Sequence, residues 1–260
     1  MVLKIFQKGF NYSQDGQGNR LVYHLQGCNM KCRWCANPEG MPVGGAMIRE
    51  KDKSPRLSYK EYPIDEVFEE ILSCKPMFFD GGGVTFSGGE ATMQFEALKE
   101  LLKRLKEAGI HTAIETNGTH ARLEELFPYV DQLIMDCKHW DEEKHLQYTG
   151  VPFSLVYENL KKAAREHPRL DIRTPLIGGV NDSPEDVEHF LDLFEELKGP
   201  NVTFELLKYH EFGKKKWEEC GWDYEMTEKA HVTVEQIKDF KEKIEKRGLQ
   251  YRKAKYISET

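Results

Sequence analysis

Short apolar runs alternate along this chain with runs in which apolar residues recur every three or four positions. The first kind predicts buried strands and the second predicts amphipathic helices. The predicted strands cover residues 21–25, 83–86, 111–115, 132–136, 170–175, 202–207 and 249–256. The predicted helices cover residues 63–74, 95–108, 123–127, 142–147, 155–166, 184–197 and 234–247. Strands alternating with helices predict an α/β fold whose parallel strands are joined by right-handed crossovers.

Proline and serine refine the predicted helix boundaries. Pro63 is expected in the first turn of its helix, and Ser183 followed by Pro184 has the form of an N-cap and first helical residue. Residues 36–62 carry three prolines and little periodicity, so they are expected to form a long functional loop. The lysines at 214–216 are interpreted as part of a solvated loop.

Length and charge narrow the function classes. The chain has 260 residues, which suits one large domain, and its net charge of −7 disfavours a nucleic-acid partner. No apolar run reaches the length of a membrane helix, and residues 1–6 lack a secretion signal, so a cytoplasmic protein without a membrane partner is expected. Six cysteines are too few for a disulfide scaffold, yet three of them fall within eight residues.

Polar residues collect where the predicted strands end. In parallel α/β folds, sites form at the carboxyl ends of the strands. The residues expected at this rim are Cys28, Ser87, Gly88, Gly89, Glu90, Glu115, Thr116, Asn117, Asp136, Cys137, Lys138, Arg173 and His210. The rim therefore combines thiols, carboxylates, an arginine and a histidine.

The cysteine triplet Cys28, Cys32 and Cys35 has Cys-x3-Cys-x2-Cys spacing on one predicted loop. A structural zinc site needs four ligands, and His24 or His210 could supply the fourth. An iron–sulfur cubane held by three cysteines would instead keep one iron open for a further ligand. The spacing by itself leaves both metal centres open.

The triplet, placed in the loop after the first strand of a βα repeat, resembles the radical S-adenosylmethionine (SAM) superfamily. The resemblance implies a single-domain (β/α)6 partial barrel with parallel strands, spanning 1–260, with an N-terminal segment 1–20 and a C-terminal extension from about 234. It also implies that the cysteines hold a [4Fe-4S] cluster whose fourth iron binds SAM. Reduction of SAM then gives methionine and a 5′-deoxyadenosyl radical.

Gly88-Gly89-Glu90 is similar to the superfamily's Gly-Gly-Glu motif. Glycines let the backbone approach the methionine moiety of SAM closely, because no Cβ intrudes. Glu90 is expected either to bind the amino group of SAM or to organise the turn.

Further segments resemble the glycyl-radical-enzyme activating enzymes, in order along nearly the whole chain. Residues 15–20 resemble an Asp-Gly-Pro-Gly-x-Arg motif, with Gln17 in place of proline. The other matching segments are residues 82–90, 115–118, 135–138 and 206–217.

This resemblance implies roles for individual residues. The backbone around Trp34 and Ala36 would meet the adenine, although Ala36 stands where the pyruvate formate-lyase type has histidine. The residues implied to contact SAM are Gly88, Gly89, Glu90, Glu115, Thr116, Asn117, Asp136, Lys138, Arg173 and His210. Among these, Glu115, Thr116 and Asp136 would also hold a monovalent cation, and Arg173 would bind a carboxylate unless it pairs with Asp171 or another acid. Asp15 and Arg20 would bind the partner peptide.

The implied partner is a glycyl radical enzyme that presents a glycine loop, with a flavodoxin or ferredoxin-type protein as electron donor. Residues 36–73 contain no cysteine, so no ferredoxin-like insert is expected, as in the short pyruvate formate-lyase type. Residues 35–39 are nevertheless more similar to the long members, which leaves the partner open. The alternatives are a radical SAM enzyme that acts on a small molecule and a zinc-stabilised binding module. Cys74, Cys137 and Cys220 are expected to be packing residues.

Overall fold

The computed structural model describes residues 1–252, and its centre is an eight-stranded sheet with helices on its outer face. The strands are β1 (Val2–Tyr12), β2 (Asn19–Leu25), β3 (Met47–Ile48), β4 (Arg56–Leu57), β5 (Lys60–Pro63), β6 (Gly83–Gly88), β7 (Thr112–Thr116), β8 (Gln132–Asp136), β9 (Leu170–Leu176) and β10 (Val202–Lys208). The α-helices are α1 (Ile64–Ser73), α2 (Phe95–Glu107), α3 (Glu142–Thr149), α4 (Phe153–Glu166), α5 (Pro184–Leu197), α6 (Lys214–Cys220) and α7 (Val234–Lys246).

The large sheet has the strand order β10-β9-β8-β7-β6-β2-β1-β5. Six neighbouring strands of this sheet, β2 and β6 to β10, are parallel. This arrangement confirms the predicted single-domain (β/α)6 partial barrel. Two antiparallel strands, β1 and β5, extend the sheet beyond β2. The predicted strands did not include β1, because its residues from Gln7 to Phe10 are exposed and lack an apolar run.

Several predicted elements differ in kind from those observed. Residues 123–127 were expected in a helix and lie in a 3-10 helix, Leu123–Tyr129, where Pro128 prevents regular α-helical bonding. Pro63 ends β5 and occupies the N-cap of α1 rather than its first turn. The lysines at 214–216 open helix α6 and do not form a loop.

The long segment 36–62 is also partly ordered. It contains the 3-10 helix Pro38–Gly40, the small two-stranded sheet of β3 and β4, and β5. The predicted last strand at 249–256 is reduced to a single bridge between Tyr251 and Phe204, and its residues from 253 onward lie outside the described part.

The core lies between the sheet and its helices. In α2 the residues Leu98, Leu101, Leu102 and Leu105 are fully buried, as their spacing predicts. Ser183 caps α5 by accepting from the Asp186 amide, as expected. No helix within residues 1–252 is long and apolar enough to cross a membrane. This packing brings the carboxyl ends of six strands to one rim.

Candidate active site

The cysteine loop follows β2 and is held by backbone hydrogen bonds to the 3-10 helix that comes after it. The Gly27 amide donates to the Gly40 carbonyl and the Cys28 amide donates to the Met41 carbonyl, both at 2.8 Å. Within the loop, the Asn37 amide donates to the Cys35 sulfur at 3.4 Å. The three thiols therefore lie at the rim, as predicted.

The positions of the three sulfurs can be compared with the needs of the two metal centres left open by the sequence. Four thiolate or imidazole ligands on one zinc ion lie about 3.8 Å apart, from Zn–S bonds of about 2.3 Å in a tetrahedron. Among the described residues, the three cysteines do not form a group whose ligand atoms all lie within 4.8 Å of one another; the only such group is Glu211, Glu228 and His231. A cubane places each thiolate on a different iron, so its three thiolates need not lie within 4.8 Å of one another.

The surroundings of the three thiols disfavour the charged thiolate form. Burial raises the pKa of Cys35 to about 12 and raises the pKa values of Cys28 and Cys32 as well. The nearby Lys138 ammonium opposes the shift at Cys32 and Cys35. A bound metal centre supplies the positive charge that thiolates require, so the donor set fits an iron–sulfur cluster.

Gly89 has a structural role in addition to the SAM contact that the resemblance implies. A Cβ on Gly89 would lie 2.5 Å from the carbonyl oxygens of both Gly27 and Gly40. Such contacts are closer than van der Waals distance, so a side chain here would push away the cysteine loop itself. The glycine thus allows β6 and the cysteine loop to pack together.

Glu90 organises the turn after β6, which is one of its two expected roles. The carboxylate accepts hydrogen bonds from the Thr92 amide at 2.9 Å and the Asn117 amide at 2.6 Å. It also accepts from the hydroxyls of Thr92 and Thr116. Burial raises its pKa, and these four donors oppose the shift. The side chain therefore joins the ends of β6 and β7.

Two adjoining cavities open at the rim. The first lies beside the cysteines and brings together most of the residues implied to bind SAM. Its lining includes Trp34, Ala36, Gly88, Gly89, Asn117, Asp136, Lys138 and His210. Asp136 and Lys138 form an ion pair at 2.6 Å, and the Asp136 carboxylate keeps about a third of its surface exposed. That carboxylate is thus available to a ligand.

The second cavity has a volume of about 610 Å³ and continues from the first into the lumen of the partial barrel. The two share the wall formed by Gly88, Gly89, Asn117, Asp136 and His210. The second extends to Asp15, Glu115 and Arg173 and lies between β1 and the chain after β10. A molecule in the first cavity would be in direct contact with one in the second.

Arg173 occupies the centre of a buried charged cluster in the second cavity. Its guanidinium donates to Glu205 at 2.6 Å, to Glu115, and to the carbonyl of Gln14. Arg173 thus pairs with structural acids, as the alternative to SAM-carboxylate binding foresaw, though not with Asp171. Glu205 was missed, although an acidic residue inside the apolar run 202–207 was a usable signal.

Asp15 faces the same cluster. Burial and the Glu115 carboxylate raise the pKa of Asp15 to about 8, and the Arg173 guanidinium and a hydrogen bond from Asn11 oppose this shift. The Asn11 side-chain amide donates to the Asp15 carboxyl group. Asp15 lines the second cavity, and its contact with a partner peptide stays a prediction.

Arg20 does not lie where the sequence placed it. Its side chain is fully buried, donates to the Thr85 hydroxyl at 2.7 Å and to the Val84 carbonyl at 2.5 Å, and contacts His111. Arg20 lines neither cavity. The expected peptide contact is therefore wrong, because β2 points this residue into the packed base of the barrel.

The remaining predicted residues have defined neighbours. The Thr116 hydroxyl donates to Glu90 at 2.7 Å, and Glu115 accepts from Ser87 at 2.7 Å. His210 is exposed and stacks on Phe212 with ring centroids 4.2 Å apart. His24 lines the second cavity but not the first, so it lies apart from the cysteines.

Helix α6 covers the cysteine loop, a contact that the sequence did not reveal. The Trp217 indole donates to the Cys35 carbonyl at 2.9 Å, and Lys216 donates to Asn37 at 2.7 Å.

Cys137 and Cys220 are buried and Cys74 is partly buried, in accord with packing roles.

Residues 22–194 match the radical SAM superfamily. A 4-hydroxyphenylacetate decarboxylase activating enzyme from Clostridioides difficile is 30% identical over 281 aligned positions, covering 88% of each chain. A pyruvate formate-lyase-activating enzyme from Staphylococcus epidermidis is 33% identical over 235 positions, covering 86% of this chain and 88% of the relative.

Solved structures agree with this assignment. A domain of a pyruvate-formate lyase-activating enzyme from Bacteroides vulgatus superposes with a TM-score of 0.55 at 26% identity, over 66% of this chain and 99% of that one. QueE from Escherichia coli, at 15% identity, shares the fold with a TM-score of 0.59 over 97% and 94% of the two chains. The family match and the two activating-enzyme relatives agree with the cysteine loop found at the rim of the sheet. The chain therefore belongs to the radical SAM superfamily, as a member of the glycyl-radical-enzyme activating enzymes.

Proposed function

We propose that this chain activates a glycyl radical enzyme by removing a hydrogen atom from the Cα of a glycine in that partner. The observation that carries the proposal is the direct junction of two cavities, one beside three clustered cysteines and one in the barrel lumen. A SAM-sized ligand in the first would face a polypeptide segment in the second. The relatives' names, which include two activating enzymes, agree with this reaction.

Cys28, Cys32 and Cys35 are the residues that would hold a [4Fe-4S] cluster. When bound, the cluster supplies the electron that splits SAM and so generates the group that abstracts hydrogen. The partly exposed Asp136 carboxylate can accept from ribose hydroxyls, and Lys138 pairs with it at 2.6 Å. Gly88 and Gly89 bring backbone groups to the cavity wall.

The lumen residues would hold the partner's glycine. Asp15 lines this cavity and its carboxyl group can hydrogen-bond to a peptide backbone. Arg173 is fixed by Glu115 and Glu205, so it can orient a backbone carbonyl without moving. Rigid placement matters because the abstracting group is unselective, and only position selects the glycine Cα.

A monovalent cation at Glu115, Thr116 and Asp136 stays a prediction. Each of these side chains already has a partner, since Glu115 pairs with Arg173 and one oxygen of Asp136 pairs with Lys138. Thr116 donates to Glu90. A cation would therefore have to share ligands with these bonds.

Alignment lengths favour a partner of the pyruvate formate-lyase type. The decarboxylase activating enzyme aligns over 281 positions, but 88% of this 260-residue chain is only about 229 residues. About 52 positions of that alignment thus have no counterpart here, against about 11 for the pyruvate formate-lyase-activating enzyme. This difference supports the short architecture without a ferredoxin-like insert. The electron donor is proposed to be a flavodoxin or ferredoxin-type protein.

The first experiment tests the cluster. Protein reconstituted anaerobically should hold about four irons per chain, and Cys28→Ala, Cys32→Ala and Cys35→Ala should each lose them. Cys74→Ala is the matched control, because this thiol is partly buried on α1's C-terminal side and far along the chain from the triplet. Full iron content in Cys32→Ala protein would refute the ligand assignment.

The second experiment tests the reaction. The loaded protein is incubated with SAM, a reductant and either pyruvate formate-lyase or 4-hydroxyphenylacetate decarboxylase, and the partner's radical is measured by electron paramagnetic resonance. Deuterium at the target glycine Cα should pass into 5′-deoxyadenosine. Asp136→Ala and His210→Ala should weaken SAM binding while iron content is kept. SAM cleavage driven by a small molecule, with no radical in either protein, would instead support the small-molecule enzyme.

A further inference from the structure

The outer edge of β1 is a backbone surface that the described residues leave uncovered. Strand β5 pairs with β1 only from Val2 to Ile5. From Gln7 to Asn11, β1 has β2 on one side, and no strand within residues 1–252 lies on the other. An exposed strand edge is a template for pairing with another extended chain.

The register shows which backbone groups point to this open side. The Ser13 amide donates to the Gly18 carbonyl, so Ser13 and Gly18 form a hydrogen-bonded pair at the hairpin end. In antiparallel strands such pairs alternate with non-bonded ones. Counting back along the recorded register, Gly9 and Asn11 bond to β2. The amide and carbonyl of Lys8 and of Phe10 therefore face away from β2.

Gly9 lies in the middle of this edge, and neither its backbone conformation nor its packing within the described residues requires a glycine. Its φ is not positive, and a Cβ built on it would meet no atom within 4 Å. A glycine inside a strand weakens the strand and often marks a place where another backbone approaches closely. The open space in front of Gly9 therefore leaves room for the backbone of another chain to approach.

The same edge borders the lumen. Gln7 and Asn11, which flank Gly9 on the same face of the strand, line the second cavity together with Asp15. Lys8 and Phe10 point the other way, toward Glu70 and Phe78. Across the cavity lie Lys208 and Phe212. A strand added to β1 would thus occupy the seam through which the lumen opens.

We propose that the edge of β1 at Lys8–Phe10 binds an extended segment of the partner enzyme as an added strand next to the target glycine. This inference rests on the proposed function and describes how the polypeptide substrate of this chain is bound. Two amides and two carbonyls spaced two residues apart pair with any sequence, so they give affinity, whereas the lumen residues select the glycine. The empty space at Gly9 admits the segment where it turns into the cavity.

The test uses full-length protein loaded with iron and SAM, and pyruvate formate-lyase or 4-hydroxyphenylacetate decarboxylase as partner. Gly9→Val fills the free space, and Gly44→Val is its control, because Gly44 also has no atom within 4 Å of a built Cβ but lines neither cavity. Phe10→Pro removes one outward amide, and Phe10→Val keeps that amide while shortening the same side chain. Iron content and the unfolding midpoint report whether each variant folds.

We expect Gly9→Val and Phe10→Pro each to raise the partner concentration for half-maximal activation about tenfold, equivalent to about 1.4 kcal/mol. Gly44→Val and Phe10→Val should stay within about twofold. Amide hydrogen exchange gives a second measurement: partner binding should slow exchange at Lys8 and Phe10, whereas Gly9 and Asn11 are already bonded to β2.

The outcomes separate the two proposals. Activation of a partner with unchanged exchange at Lys8 and Phe10, and unchanged half-maximal concentrations in both variants, refutes the added strand while the proposed function stands. If slowed exchange at these amides depends on the concentration of this chain alone, the edge pairs with a second copy and the proposal is wrong. If no radical forms in either partner, the proposed function is refuted. The proposal of an added strand is then refuted as well, because its binding partner is the glycyl radical enzyme.

Discussion

The substitution Glu90→Gln tests whether the carboxylate, and not only its shape, holds the turn after β6. All four of its contacts are donors: the amides of Thr92 and Asn117 and the hydroxyls of Thr92 and Thr116. Glutamine keeps the volume but replaces one oxygen by an NH₂ donor. Because three of the donors converge on Oε1, the favoured orientation puts the amide nitrogen against the Asn117 amide.

The magnitude follows from that single mismatch. A hydrogen bond to a charged group contributes about 1.5–3 kcal/mol, and leaving a buried donor unpaired adds to its loss. Glu90 is only 2% exposed, so water cannot replace the bond. We expect the variant to lose about 2–4 kcal/mol of unfolding free energy. At about 2–4 °C per kcal/mol for a domain of this size, the midpoint should fall by about 4–16 °C.

Equilibrium unfolding in guanidinium measures the free energy and thermal unfolding measures the midpoint, with iron content determined on the same samples. The matched control is Glu96→Gln, whose side chain is 67% exposed and pairs with Arg122 on the surface; it should change stability by less than about 0.5 kcal/mol. The Asn117 side chain also contacts Asn29 at 2.8 Å and lies 4.0 Å from the Cys28 sulfur, so cluster retention should fall with stability. A Glu90→Gln protein as stable as the control would refute the carboxylate argument.

Three further substitutions test other parts of the site. Gly89→Ala should lower iron content more than it lowers SAM affinity per loaded chain, because its Cβ would meet the Gly27 and Gly40 carbonyls; normal iron with weakened SAM binding would favour a direct contact with SAM. The pKa of Asp15 is raised from 3.8 to about 8, so the folded chain binds this proton more tightly than the unfolded chain does, and the associated stability is present below about pH 4 and is lost as pH rises to about 8. Asp15→Asn should remove that loss from the unfolding free energy measured between about pH 5 and pH 9, a range that spans the Asp15 pKa of about 8, and an unchanged pH profile would contradict the assignment. Arg20→Met should cost about 2–4 kcal/mol of stability yet leave the half-maximal partner concentration within about twofold, because Arg20 bonds to buried groups; weaker partner binding at full stability would restore its role as a peptide contact.

Local signals in the sequence determined the repeating fold and the position of the cysteines. Apolar runs predicted six parallel strands because each strand is buried on both faces and reads as a continuous run. The close spacing of Cys28, Cys32 and Cys35 on one loop predicted a metal centre at the rim. The residues after the other strands were placed there by the same rule, since carboxyl ends of parallel strands share one edge.

Tertiary structure decided which of these residues reach one another. Arg173 pairs with Glu205 on the adjacent strand and with Glu115 two strands away, and no local pattern fixes such a choice. Arg20 is close in sequence to Asp15, yet the hairpin sends one into the packed base and the other into the lumen. The open edge of β1 arises only because β5 stops pairing at Ile5. Pairing depends on residues far apart in the chain, whereas propensity and periodicity act over a few positions, so only the folded chain determines it.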